Sequence, residues 1–477
     1  MRARRPRFAL PLLLAFIGLA GGLLLAAWVA APRVVERSPA PGADGVTGRA
    51  VIGLGFNQPM NRSSVESRLT ITPVVPGRVV WEGNRLTFDP DETWPAGQLI
   101  QVTLRAGAAS ARGLPLIGAV QWTFRAGRPR IVYLWPSTSP ADLYARVPQG
   151  SGPVRLTQTA FGIQDYSIGR HGELIAYAAL RADGGADLRL LDPFTGEDRL
   201  AYTCAQGRAC IAPSLSVDGR WLAFETAVMR PGPSGRPQPG ETQVWLLDLD
   251  GGGPARAVGP SDRVTAQPAW SPSGWLEYFD SSLNALTLAD PNAGAQAAPL
   301  MQVPSGLGDI GSWSPDGAYL AFAELVFPQE TALPTVSSSS AESLPVFYSH
   351  IQRLAIARGT LDDLTGGGAG LVEDASPAYS PDGAWIALGR KYLEPARWTL
   401  GRQLWLMRSD GSDARPLTNE PSFNHSVFAW SPDSKSLAFM RFDESDFNKP
   451  SEIWWMDIER ADAQQLVVGG YSPAWIP

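Results

Sequence analysis

The sequence has few of the residues that catalysis and metal binding use most. Its 477 residues include three histidines, His171, His350 and His425, and two cysteines. A metal site needs about four ligands, and no histidine lies near the cysteines to complete one. No nucleotide-binding glycine motif stands where it could work, and the Gly-x-Ser-x-Gly motif of serine hydrolases is absent. The sequence therefore predicts no catalytic residue, no metal and no cofactor.

Charged residues are also scarce, at 18% of the chain, which argues against a disordered or coiled-coil protein. The net charge of −6 gives no electrostatic footprint for nucleic acid. By contrast, 49 glycines and 42 prolines provide many turns. This composition favours an all-β fold with short strands over one with long helices.

The N-terminus carries an export signal of some kind. Four arginines in residues 1–7 precede 24 uncharged residues at 8–31, long enough to cross a bilayer as a helix. The arginines favour a cytoplasmic N-terminus with the rest of the chain outside. We predict a single-pass signal anchor followed by a linker at 32–37. The alternative is a cleaved signal peptide and a secreted protein, although Pro32 is a poor residue after a cleavage point.

The two cysteines, Cys204 and Cys210, are separated by five residues. This spacing suits a small-loop disulfide in an oxidising compartment, with free thiols as the alternative.

Residues 38–127 read as a small β-sandwich. Runs such as Ala50–Phe56 and Ala119–Phe124 alternate apolar and polar residues, and turn signals separate them. The ordered motifs SPAPGADGV, IGLGFNQPMNRSSV, NRLTFDPDETWPAGQLIQVTL and GLPLIGAVQWTF resemble the bacterial (SbsA-type) Ig-like domain of S-layer and other envelope proteins. The sequence departs from that pattern at Ile100, where an aromatic residue is more usual. The resemblance implies a spacer or adhesive module without catalysis.

Residues 130–477 contain a repeat. WSPDGAYLAF at 313–322, YSPDGAWIAL at 379–388 and WSPDSKSLAF at 430–439 are strong copies, and three weaker copies begin at 168, 215 and 270. Repeats 43 to 66 residues apart indicate a propeller or solenoid. Proline, aspartate and glycine in the motif favour a tight turn between two strands. We assign this structural role, rather than metal binding, to the turn residues Pro315, Asp316, Gly317, Pro381, Asp382, Gly383, Pro432 and Asp433.

The chain ends suggest how the repeats close. SPAWIP at 472–477 begins a repeat and stops, whereas 131–157 read as the later strands of one. Six internal copies plus this composite predict seven blades closed by the C-terminal strand. The repeat resembles the TolB-type, WD-repeat-like β-propeller, which implies a scaffold for protein contacts outside the cytoplasm.

Long loops between second and third strands fall on one face of the predicted ring, which we call the long-loop face. Function often resides in such loops on a rigid scaffold. Our candidate partner contacts there are Arg230, Phe327, Tyr392, Trp398 and Phe447.

These observations predict a non-catalytic, membrane-anchored extracytoplasmic protein. Its propeller would bind an unknown protein partner in the cell envelope and no nucleic acid. The alternative is a propeller that binds or cleaves a glycan or peptide through a central-channel site. An inward-signalling sensor fits less well, because only seven residues would lie in the cytoplasm.

Overall fold

The computed structural model describes residues 30–150, 152–232, 237–294, 297–326, 348–366 and 370–477. The tail 1–7 and nearly all of the apolar segment 8–31 lie outside these ranges, as does Phe327. Across the ranges described, no helix is long and apolar enough to span a membrane. The chain divides into two compact units after Gly127.

The first unit is a β-sandwich with one short helix. Its elements in chain order are β1 (Val34–Ser38), β2 (Ile52–Phe56), α1 (Arg62–Glu66), β3 (Leu69–Thr72), β4 (Gly77–Glu82), β5 (Arg85–Pro90), β6 (Leu99–Leu104) and β7 (Val120–Arg125). One sheet has the order β1-β2-β5-β4 and the other β3-β6-β7. Alternate residues of β6, including Ile100 and Val102, are buried in the core between the sheets. The indole of Trp94 is buried there too and donates to the carbonyl of Ala50 at 2.9 Å.

The described residues of the second unit form seven groups of four antiparallel strands, which we call blades 1 to 7. Single parallel pairings join blade 2 to blade 3 and blade 5 to blade 6. Blade 1 contains β8 (Arg130–Trp135), β9 (Asp142–Arg146) and β10 (Val154–Arg155). Blade 2 contains β11 (Ile163–Ile168), β12 (Ile175–Leu180), β13 (Ala186–Leu191) and β14 (Asp198–Tyr202). Blade 3 contains β15 (Arg208–Leu215), β16 (Trp221–Pro231), β17 (Pro237–Asp248) and β18 (Arg256–Ala257). The strands of blades 4 and 5 are β19 (Thr265–Trp270), β20 (Leu276–Asp280), β21 (Ala285–Ala289), β22 (Met301–Pro304); β23 (Ser312–Trp313), β24 (Tyr319–Val326), β25 (Tyr348–Ala355) and β26 (Thr360–Asp363). Those of blades 6 and 7 are β27 (Val372–Tyr379), β28 (Trp385–Tyr392), β29 (Gln403–Arg408), β30 (Arg415–Pro416); β31 (Phe423–Trp430), β32 (Ser436–Asp443), β33 (Glu452–Asp457) and β34 (Asp462–Val468).

Blade 1 takes its first, innermost strand from the end of the chain. The last strand, β35 (Tyr471–Ile476), pairs antiparallel with β8, so that Trp475 lies opposite Ile131. Seven apolar clusters then join successive blades, and one of them packs Tyr133 of blade 1 against Ile453 of blade 7. Every blade therefore buries apolar side chains against two others.

The repeated turn has the same hydrogen bonds in several blades. In blade 5 the Ser314 hydroxyl donates to Asp316 at 2.6 Å and accepts the Tyr319 amide at 2.9 Å. Asp316 also accepts the amide of Ala318, and Gly317 adopts φ of 71°. Aspartates in blades 3, 6 and 7 make equivalent bonds, namely Asp218, Asp382 and Asp433. The aspartate is therefore held by its own turn, as expected for a structural residue.

The tryptophans of the motif do more than fill the core. The indoles of Trp270, Trp430 and Trp475 each donate to a carbonyl of the preceding blade's innermost strand, at 2.9 to 3.0 Å. A buried indole N–H needs such a partner. These bonds tie each blade to the one before it, a role that core packing alone does not describe.

Candidate binding face

The long hairpins lie in blades 3, 5, 6 and 7. We expect loops between the second and third strands of these blades, but the second strands extend into those segments. In the structure β16 continues to Pro231, β24 to Val326 and β28 to Tyr392. The face opposite the long-loop face carries the repeated turns, and we call it the turn face.

Two exposed aromatic side chains stand on neighbouring blades of the long-loop face. Trp398 of blade 6 is 52% exposed and Phe447 of blade 7 is 76% exposed. The Lys391 ammonium lies 5.4 Å from the centre of the Trp398 ring. Tyr392 is half-buried below the Arg397 guanidinium, which lies 4.0 Å from its ring centre.

The other two predicted contacts are not part of this group. Arg230 is exposed on β16 of blade 3, 3.9 Å from Glu241. Phe327 lies outside the described residues. The structure therefore places Tyr392 and Trp398 in blade 6 and Phe447 in blade 7.

Below these aromatics, a fully buried ion pair fixes blade 6. Nε and Nη2 of Arg390 each donate to one carboxylate oxygen of Asp374 at 2.7 Å. The side chain of Arg390 is 4% exposed and that of Asp374 is 0% exposed. The guanidinium also stacks 4.9 Å from the centre of the Trp405 ring. A bidentate pair in this setting holds the ends of β27 and β28 in one geometry.

Blade 7 has a larger ionic network at the same level. Arg441 binds Glu420 at 2.5 Å and Glu452 at 2.8 Å. His425 Nε2 lies 3.2 Å from Glu420, and its Nδ1 lies 2.9 Å from the carbonyl oxygen of Arg402. Both ring nitrogens of His425 therefore lie within hydrogen-bond distance of an oxygen atom. The hydrogen bond from His425 and the guanidinium of Arg441 lower the pKa of Glu420 to about 2.

His350 forms a separate pair in blade 5. Its Nδ1 lies 2.8 Å from Asp363, and this hydrogen bond raises the pKa of His350. Over the described ranges, no hydroxyl or thiol is hydrogen-bonded to His350 or His425, and no group of three or more histidines, cysteines or acids is placed to hold a metal ion.

Sequence reasoning missed these ion pairs. Arg390 and Arg441 occupy the same place in their repeats, five residues after Trp385 and Ser436 respectively. Alignment of the repeats beyond the motif would have shown two arginines where blade 3 has Thr226. The acidic partners of these arginines do not stand at equivalent repeat positions, so the repeat alignment would not have identified them.

The cysteines form a disulfide at the long-loop face, with a Cα–Cα distance of 5.8 Å between Cys204 and Cys210. The Arg181 guanidinium occupies the inside of this loop. It binds Asp187 at 2.5 Å and donates to the carbonyls of Cys204 and Arg208 at 2.9 Å. The loop between blades 2 and 3 is therefore held both covalently and by hydrogen bonds.

Two carboxylates each accept a backbone amide from the first strand of the next blade. Asp165 accepts the Ala212 amide at 2.8 Å, and Glu225 accepts the Gln267 amide at 2.7 Å. Burial raises the pKa of Asp165 to about 7. In the described part of the molecule, its second oxygen has no hydrogen-bond partner.

Comparison with known proteins bears on the first unit most directly. Residues 29–126 match the family model of the bacterial Ig-like domain. The first unit is a bacterial Ig-like domain. This confirms the resemblance predicted for residues 38–127.

Solved structures similar to this chain include TolB and other β-propeller proteins, which agrees with the predicted resemblance. TolB from Acinetobacter baumannii matches over 94% of this chain and 99% of its own, with 13% identity and a TM-score of 0.42. The propeller domain of the Trilobed protease from Pyrococcus furiosus matches over 78% of this chain and 95% of its own, with 8% identity and a TM-score of 0.47. A puromycin-hydrolysing peptidase from Mycobacterium tuberculosis matches over 72% and 53%, with 14% identity and a TM-score of 0.49. At these scores the description of the ring rests on the chain's own strand pairing.

A curated relative is dipeptidyl-peptidase 5 from Porphyromonas gingivalis. It is 27% identical to this chain over 175 residues, which are 36% of this chain. The chain spans 22% of the length of that relative.

Proposed function

We propose that this chain is a non-catalytic, membrane-anchored extracytoplasmic protein whose seven-bladed propeller, closed by β35, presents the long-loop face to a protein partner in the cell envelope. Residues 8–31 act as the anchor with the N-terminus in the cytoplasm, and the Ig-like domain acts as a spacer. No cofactor takes part.

The observation that carries this proposal is that exposed aromatic side chains lie on blades whose strands are held by buried ion pairs. Trp398 and Phe447 project from loops of adjacent blades. The pair Asp374–Arg390 and the contacts of Arg441 hold the strands beneath them. Protein interfaces are enriched in aromatic residues and arginine, and a preorganised surface loses less conformational entropy when it binds.

Cross-linking mass spectrometry on cells that express the full chain tests the proposal. The variant Trp398→Ala with Phe447→Ala should lose capture of the partner at least about tenfold, as expected for interface anchors. Phe194→Ala is the matched control, because Phe194 is an exposed aromatic on the turn face. Equal capture by all three proteins would contradict the proposal.

A second candidate is binding or cleavage of a glycan or peptide at the centre of the ring. It is favoured by the buried, unpartnered oxygen of Asp165 beside Glu225. Asp165→Asn distinguishes the two functions. The scaffold proposal expects unchanged partner capture, whereas the channel function expects loss of ligand binding with the aromatic face intact.

A further inference from the structure

A polar cleft opens on the long-loop face between blades 3 and 4, away from the aromatic group of blades 6 and 7. It has a volume of about 190 Å³, and eight of its ten lining residues carry polar side chains. The strands β15, β16 and β17 form one wall, and the loop that leads to β19 forms the other. Neither the partner-binding proposal nor the central channel uses this cleft.

Two half-buried guanidinium groups line the cleft from different blades. Arg208 begins β15 and donates to the Thr226 hydroxyl at 3.3 Å. Arg263 lies in the opposite loop, where its guanidinium forms an ion pair with the buried carboxylate of Asp280 at 3.7 Å. A guanidinium has five N–H donors. The hydrogen bonds described for these two groups use one N–H donor of Arg208 and none of Arg263, which leaves donors of both for a ligand.

Arg208 belongs to the loop that the disulfide closes. The Cys204–Cys210 bond spans it, and Arg181 binds its backbone, including the carbonyl of Arg208. Gly185 completes the fit, since a Cβ there would lie 2.3 Å from Arg181 and 2.4 Å from the Arg208 carbonyl oxygen. The structure therefore fixes the backbone that carries Arg208 before any ligand arrives, which lowers the entropic cost of binding.

The chemistry of the lining favours one class of ligand. A guanidinium fork matches a carboxylate, to which it donates two parallel hydrogen bonds. The exposed rim carries Glu241, Ser261 and Asp262, whose oxygens accept hydrogen bonds from hydroxyl groups. The two rim carboxylates also disfavour a multiply charged anion such as phosphate.

The apolar part of the lining is small. Val228 and Val264 are the two apolar residues among the ten, too few to form a pocket for an aliphatic or aromatic side chain of a peptide. From this donor set we infer that the cleft between blades 3 and 4 binds a hexuronate unit of an acidic glycan, with its carboxylate on Arg208 and Arg263 and its hydroxyls at the rim.

Isothermal titration calorimetry of the full-length protein in detergent micelles tests this inference, with sodium glucuronate as the probe. Glucose, which lacks the carboxylate, should bind at least about tenfold more weakly, because a charge-assisted hydrogen bond is lost. Arg208→Ala should weaken glucuronate binding by a similar factor. Arg199→Ala, at an exposed arginine of β14, is the control and should bind as the parent protein does.

A second variant acts without touching the cleft. Replacement of Cys204 and Cys210 by serine releases the loop, and glucuronate binding should weaken while circular dichroism shows the β-fold retained. The variant Trp398→Ala with Phe447→Ala should bind glucuronate normally, so failure of the partner proposal and failure of this one are distinguishable.

Several results would overturn the inference. No glucuronate binding at millimolar concentration, or equal binding of glucose, would remove the uronate assignment. Undiminished binding by folded Arg208→Ala would exclude this cleft as the site. Stronger binding of the acidic dipeptide Ala-Glu than of glucuronate at the same site would assign the cleft to peptides instead.

Discussion

The two faces of the ring differ in how far their contacts repeat from blade to blade. On the turn face, the same serine–aspartate hydrogen bonds recur in blades 3, 5, 6 and 7. On the long-loop face, each blade differs, with a disulfide before blade 3, a buried bidentate pair in blade 6 and a four-residue network in blade 7. Residues that repeat in several blades therefore form the turn face, and residues that differ between blades form the long-loop face.

One repeat position illustrates the difference. The fifth residue after the start of the second-strand motif is held by the same backbone in each blade, but its chemistry changes around the ring. Blades 3 to 7 have there, in order, Thr226, Asp280, Glu324, Arg390 and Arg441. A fixed scaffold with variable side chains at one level is how loops and strand ends acquire function without loss of the fold.

The largest effect should come from the buried pair of blade 6. Arg390→Met leaves the carboxylate of Asp374 buried without its cation, and we expect a loss of about 3–5 kcal/mol in the free energy of unfolding. Urea denaturation measures it. Arg408→Met in the same blade is the turn-face control, since this arginine is about half exposed and stacks 3.8 Å from the Trp385 ring centre. It should cost less than about 1 kcal/mol.

The double variant Arg390→Met with Asp374→Leu removes both charges. It should recover most of the lost stability, because well-packed apolar residues replace a buried pair at little cost. If the single and double variants were equally stable, the pair would not be what holds this part of the long-loop face.

A buried carboxylate in blade 4 can be compared with the ion pair of blade 6. Glu277 is fully buried in blade 4, and none of the described residues forms an ion pair with it. Trp313 donates to it at 2.7 Å, and burial raises its pKa to about 7. Between about pH 4.5 and 7 the folded state holds a proton that the unfolded chain has released, so stability falls as pH rises through this window. Glu277→Gln should be more stable than the parent by about 2 kcal/mol at pH 8. Melting temperatures at pH 5 and pH 8 test this, and an unchanged pH dependence in the variant would contradict it.

The turns should give smaller and equal effects. Asp382→Ala removes the acceptor for Ser380 and for the Ala384 amide, which should cost about 1 kcal/mol. Asp218→Ala makes the same change in blade 3 and should cost the same within error. Chemical denaturation of both variants is the measurement. Unequal losses would mean that the turn face is less uniform than its hydrogen bonds indicate.

The exposed aromatic of blade 6 should matter least for stability. Trp398→Ala removes a side chain that is 52% exposed, and the free energy of unfolding should change by less than about 0.5 kcal/mol. A melting curve checks this. A large destabilisation would show that Trp398 supports its own loop rather than serving a partner.

Much of this architecture could be predicted, because it repeats or alternates. The sandwich followed from period-two strands, and the blades followed from the Ser-Pro-Asp-Gly turns. The ion pairs could not be predicted in the same way. Asp374 lies 16 residues before Arg390, on another strand, and Glu420 and Glu452 flank Arg441 from two further segments. Such pairs depend on strand register across a blade, which no short motif encodes. The anchor at 8–31 and the role of Phe327 stay predictions.

Site-specific photo-cross-linking tests the central claim most directly. A photoreactive amino acid would replace Trp398 on the long-loop face and, in a second protein, the exposed Ala414 on the turn face of the same blade. The account predicts that one envelope protein is captured from position 398 and not from position 414. Capture from position 414 alone, or equally from both positions, would contradict the division of labour between the two faces.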